Sequence, residues 1–151
     1  MIKNIVCNSS CIIALERIGH LEILLKSVEI ILIPEAVQKE IGNKIKKISV
    51  KTVKNIAVVS SLCTQIGDGE SEAIALALEI SNIHILLDDK KARRIAKELS
   101  LKVIGTIGLI LRAKDRGIIS EIKPILDNFQ EVGFRISGTL YSEAMRIAKE
   151  Y

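Results

Sequence analysis

A chain of 151 residues fits one domain, and at 48% hydrophobic residues it can build a core without disulfides or a structural metal. With 3% aromatic residues and no tryptophan, that core must be aliphatic. The formal charge of +4, from 22 Lys and Arg against 18 Asp and Glu, is far below the basic stripe of a dedicated DNA-binding module.

Cys7, Cys11 and Cys63 form neither a disulfide framework nor a zinc site, because no second pair and no His stands at ligand spacing. All three are expected to be reduced and mostly buried thiols. His20 and His84 are too isolated to bind a metal alone. No apolar run reaches the ~18 residues of a membrane span, and Asn8, Ser9 and Ser10 interrupt what would otherwise resemble a leader segment. The expectation is a soluble, cytoplasmic domain with no membrane partner.

Lys3 to Asn8 reads as the first strand, with Ser9 or Ser10 capping a helix whose apolar positions Ile12, Leu15 and Ile18 recur until Gly19. Leu21 to Leu25 gives a short helix and Val28 to Ile33 a strand. Pro34 opens the helix PEAVQKEI, which ends at Gly42. The lysine-rich stretch Lys44 to Lys54 reads as a solvent-facing helix, and Ile56 to Val59 as a strand. Gly67-Asp68-Gly69 forms a turn into the helix ESEAIALALEI. Ile83 to Leu87 is a strand, and Asp88 or Asp89 starts the helix KKARRIAKELS with Ala92, Ile95, Ala96 and Leu99 facing inward. Lys102 to Ile104 is a last strand, followed by helices over Thr106 to Arg116, Ile119 to Glu131 and Leu140 to Lys149. Leu140, Ala144, Ile147 and Ala148 give the last of these an apolar stripe expected to pack on its own domain.

Alternating strands and helices predict one α/β domain over residues 1–151, a parallel sheet with helices on both faces. Such sheets place their sites where strands run into helices. The residues at those corners are Asn8, Glu70 and the pair Asp88-Asp89, with Glu40 near the end of its helix and Thr106 at the same edge. Acids gathered there repel one another unless a divalent cation neutralises them, and oxygen ligands suit Mg²⁺ or Mn²⁺. Each acid also has a structural explanation. Glu70 and Glu72 complement a helix dipole, Asp88 or Asp89 makes a good N-cap, and Glu40 is a solvated charge. Nucleotide-binding glycine motifs, a P-loop, a nucleophile elbow and a Ser-His-Asp set are absent.

The segments IVCNSSCIIALERIGHLEILL, VEIILIPEAVQKEIG, GDGESEAIALALE, HILLDDKKARRIAKELSLKVIGTIGLILRAKDRG and KPILDNFQEVGFRIS follow one another as in a prokaryotic branch of PIN-domain proteins, and the chain resembles that family from about Ile5 to Tyr141. The resemblance implies an acidic pocket that binds Mg²⁺ or Mn²⁺ and cleaves RNA. It also implies membership among toxins of toxin–antitoxin pairs, an antitoxin protein as partner and a homodimer. Matched position by position, the family's first acid falls on Asn8, its second on Glu40, its third on Glu70 (with Glu72 as the alternative) and its last on Asp89, with Asp88 beside it. Glu40, Glu70 and Asp89 are thus the implied catalytic residues, and these with Asn8 and Asp88 the metal ligands. Asn8 departs from the usual aspartate. Its amide oxygen can ligate a hard cation but brings no charge, which weakens affinity.

Ser9, Arg93, Arg94 and Thr106 are the candidate substrate contacts, since arginine forks suit phosphate oxygens. Lys90, Lys91, Arg112, Lys114 and Arg116 add positive charge nearby. With only Phe129, Phe134, Tyr141 and Tyr151 as aromatics, little base reading by stacking is expected.

Overall fold

Five parallel strands alternate with helices in the computed structural model, which describes residues 1–151. The central strand β1 (Ile2–Cys7) lies between β2 (Val28–Pro34) and β4 (His84–Leu86), with Ile5 opposite both Ile31 and His84. Strand β3 (Ile48–Lys51) flanks β2 and β5 (Lys102–Ile104) flanks β4, giving the order β3-β2-β1-β4-β5.

The central strands are apolar at consecutive positions because both faces of the sheet are covered. Side chains alternate between faces. Ile5, Cys7, Ile31, Ile33, Leu86 and Ile104 enter one core, and Val6, Leu32, Ile85 and Leu87 enter the other. The first core is closed by α1 (Ser9–Arg17), α2 (Glu22–Ser27), α7 (Thr106–Asp115), α8 (Lys123–Glu131) and α9 (Gly138–Ile147). The second is closed by α4 (Ile56–Leu62), α5 (Asp68–Leu78) and α6 (Lys90–Glu98). Helix α3 (Glu35–Ile41) joins β2 to β3 and packs on α5 and α1. Each fully buried Ile or Leu contributes ~1.5–3 kcal/mol, so the sheet is anchored mainly through its three inner strands. The chain leaves β1 for β2 on one side and later returns to β4 on the other. That reversal at β1 opens a crevice beyond its carboxyl end.

Several boundaries differ from the sequence reading. The lysine-rich stretch is not a helix; it holds β3, where Ile48 is buried opposite Ile31 while Val50 and Lys51 face outward. An outer edge carrying lysine resists pairing with other chains. Ile56 to Val59 is helical rather than extended. The Asn55 side chain accepts the Val58 N–H, and Glu79 accepts the N–H groups of Lys54 and Asn55, so the caps outweigh the β preference of the run. Helix α5 begins at Asp68, placing Glu70 inside its first turn. Helices α8 and α9 start at Lys123 and Gly138.

The last helix packs on its own domain through Ala144 and Met145, which are buried, whereas Leu140 and Ile147 of the expected stripe are exposed. Glu150 fixes its end by accepting from Lys114 Nζ at 2.7 Å and from the N–H groups of Ile122 and Lys123. No helix is long and apolar enough to cross a membrane.

Candidate active site

Asn8 follows β1 at the N-cap position of α1, yet its side chain makes no capping hydrogen bond. Its Oδ1 is buried with no partner in the chain, although an unpaired buried acceptor costs ~1–3 kcal/mol. Neither Ser9 nor Ser10 caps the helix, contrary to the sequence expectation; both lie inside α1. Ser9 Oγ donates to Glu40 Oε2 at 3.2 Å and Ser10 Oγ to Asp88 Oδ2 at 3.0 Å. The first turn of α1 therefore holds one carboxylate on each side of β1.

Asn8, Lys39, Glu40, Asp68, Gly69 and Glu70 line an open cleft of about 470 Å³. Gly69 is buried at its floor, and a Cβ there would run into Glu40 Oε1 and lie 3.3 Å from Asn8 Oδ1. Those two oxygens thus converge on a space that only glycine leaves open. Half-buried Glu70 accepts the Gly67 N–H at 3.2 Å. Burial, then the charges of Asp89 and Glu40, push its carboxyl above the usual range, against the pull of the Gly67 N–H. Glu72 is occupied elsewhere, accepting the Ala36 N–H at 3.1 Å and so capping α3.

Asp88 lies on the far side of β1. It accepts from Thr106 N at 2.8 Å and Thr106 Oγ1 at 2.6 Å in addition to Ser10. Thr106 is fully buried, so this carboxylate is tightly held. Asp89 caps α6 through the Ala92 N–H at 2.9 Å while its charge still reaches Glu70. Arg93 donates to the Leu87 carbonyl at 2.8 Å, and its guanidinium fills the space beside Gly105, where a Cβ would stand 2.7 Å from Nη1. Arg94 turns toward Glu98 on the exposed side of α6.

Asn8, Glu40 and Glu70 therefore share one cleft, with Ser9 bonded to Glu40, while Asp88 and Thr106 form a hydrogen-bonded pair beside it and Arg93 lines the neighbouring pocket with Asp88. Arg94 lies apart from both. No three Asp, Glu, His or Cys side chains converge closely enough to hold a metal; an expected cluster of four acids is instead an amide and two carboxylates, with Asp88 and Asp89 tied to backbone and hydroxyl partners. This donor set still fits a hard cation. All its donor atoms are oxygens, one is buried and unpaired, and the carboxyl of Glu70 is disfavoured as an anion first by burial and then by its acidic neighbours. Sequence reasoning missed Ser10, Lys39, Gly69 and Gly105. A serine pair directly after an edge asparagine, and glycines beside Glu70 and Thr106, were the available signals.

A family model described as DUF3368: PIN domain matches residues 4–150. No curated protein and no solved structure matches the chain.

Proposed function

The chain belongs to the PIN-domain family, and from that membership and its cleft we propose that it is a Mg²⁺- or Mn²⁺-dependent endoribonuclease, the toxin of a toxin–antitoxin pair. Nuclease-type chemistry with divalent metal ions is general to the family. The observation that carries the reading is the buried, unpartnered Oδ1 of Asn8 facing the same glycine-floored space as Glu40 Oε1.

Asn8, Glu40 and Glu70 are the residues that would hold the ion, with Asp89 adding negative charge. When bound, the ion supplies Lewis acidity toward a phosphodiester and neutralises charge that develops there. Ser9 orients Glu40 through its hydroxyl. Thr106 and Ser10 fix Asp88, and Arg93 presents a phosphate-binding fork beside it. Control by an antitoxin protein and assembly as a homodimer belong to the same proposal and rest on family resemblance. The catalytic reading predicts that Glu70→Gln combined with Asp89→Asn abolishes cleavage of single-stranded RNA on a gel. Unchanged cleavage by that variant refutes it.

A second reading is a PIN protein that binds RNA or a protein partner without cleaving. It is favoured by Asn8 standing where an acid is usual and by the lack of three converging acids. It predicts that Asn8→Asp creates activity in an otherwise inactive protein; cleavage by the unmodified chain rules it out.

A further inference from the structure

The surface of α6 carries Lys90, Lys91, Arg93, Arg94 and Lys97 around one open concavity, with Glu98 as its only acid. Lys90, Lys91 and Lys97 are exposed and make no hydrogen bond or ion pair. Arg94 reaches Glu98 only at 3.9 Å, with both side chains largely exposed, a pair worth little in water. Half-buried Arg93 spends one of its N–H donors on the Leu87 carbonyl, leaving the rest for a ligand. Nothing in the fold requires this concentration of positive charge.

Its position gives it a purpose. Helix α6 begins directly after Asp88-Asp89, so its first turn stands beside the cleft, and at ~1.5 Å per residue it extends ~13 Å from there. The lining of the cleft on α3 and α5 bears Glu40, Asp68, Glu70 and Glu72 with one cation, Lys39. A polyanion seated at the acids is repelled on that side and attracted along α6. The other lysine-rich segment lies around β3, at the far edge of the sheet from β4 and β5. No aromatic side chain lines the cleft or α6. Phe129 pairs with Phe134 and Tyr141 is bound to Asp127, so stacking on bases has no platform here.

We propose that α6 is a backbone-binding surface that guides the phosphates of single-stranded RNA away from the cleft, without reading base sequence. This rests on the ribonuclease reading for the identity of the polymer. Phosphate contacts of this kind position a strand and carry no sequence information, and they appear as counterion release.

The test is fluorescence anisotropy of a short labelled oligouridylate, with metal chelated so that binding is read without cleavage, over a range of salt. The variant Lys90→Gln, Lys91→Gln, Arg94→Gln, Lys97→Gln is compared with Lys44→Gln, Lys46→Gln, Lys51→Gln, Lys54→Gln, which loses the same charge at the β3 edge. All eight side chains are exposed, so both variants are expected to fold. Each lost phosphate contact lowers the log–log salt slope by about 0.7, so the α6 variant should lose up to about 3 of slope and at least tenfold in low-salt affinity. The β3-edge variant should bind as the unmodified protein does. Equal losses in both variants, an undiminished slope in the α6 variant, or no RNA binding by the unmodified protein overturns the inference. Cleavage by the unmodified protein alongside an undiminished slope overturns this surface and leaves the ribonuclease reading standing. Slope lost on α6 in a protein that never cleaves supports the surface and overturns the catalytic reading.

Discussion

Replacing Gly69 with alanine separates the architecture of the cleft from the stability of the fold. Gly69 lies in the first turn of α5 with an ordinary helical backbone, so alanine gains ~0.5–1 kcal/mol of helix preference. The new methyl runs into Glu40 Oε1 and stands 3.1 Å from Glu40 Cδ and 3.3 Å from Asn8 Oδ1. Glu40 is the exposed end of a flexible chain, so it can swing away, at ~0.5–1.5 kcal/mol for a strained rotamer. The Ser9 hydrogen bond to it is also lost, a further ~1 kcal/mol. The losses exceed the gain only modestly, and urea denaturation should place Gly69→Ala about 0.5–2 kcal/mol below the unmodified protein. The donor set, by contrast, loses one of its two carboxylates, and Mn²⁺ affinity should fall at least tenfold, about 1.4 kcal/mol. A variant that is equally stable and binds Mn²⁺ as tightly as before refutes the idea that Gly69 keeps Glu40 and Asn8 together.

Thr106→Val keeps the shape of a fully buried residue but removes the 2.6 Å hydrogen bond to Asp88, so it should cost ~1.5–3 kcal/mol in denaturant melts, and a loss below 0.5 kcal/mol contradicts the tight hold described for Asp88. Burial raises the Glu150 carboxyl, but Lys114 and the N–H groups of Ile122 and Lys123 outweigh it, so its folded pKa lies below the unfolded one. Its contribution is then fully present above the ordinary carboxylate pKa and disappears as pH falls through the lowered value. Glu150→Gln should therefore destabilise at neutral pH and make no difference in strong acid; an equal effect at both pH values rejects this linkage. Burial pushes both the Cys7 and Cys11 thiols up, Cys11 to about 12, whereas Cys63 is exposed. A thiol-reactive disulfide reagent should modify one cysteine in the native protein and three after unfolding, and rapid native modification of more than one is incompatible with the core described.

The fold was legible wherever burial dictated the residues. VEIILI and IHILL are apolar at successive positions because both faces of the sheet are covered, and that alone marks them as inner strands. The outer strand β3 was not legible, since only Ile48 of its four residues is buried and the rest resemble any solvated lysine-rich segment. The IAVV run misled for the opposite reason: its β preference is real, but Asn55 and Glu79 supply helix caps from neighbouring and distant sequence. At the site, Asn8 and Glu70 were legible as corner residues and Glu40, near the end of its helix, through the family resemblance, and the fold brings these three to one cleft. The cap that Asp89 makes on its own helix was within reach of the sequence; what spacing could not reveal were the long-range holds on other carboxylates, Thr106 on Asp88 and the Ala36 N–H on Glu72 thirty-six positions away.

The central claim is a divalent-metal site built on Asn8, Glu40 and Glu70, and Mn²⁺ titration calorimetry on the unmodified protein and on Glu70→Gln tests it most directly. Saturable binding by the unmodified protein that is lost in Glu70→Gln is the predicted result. No binding by the unmodified protein, or binding that survives Glu70→Gln undiminished, contradicts the site.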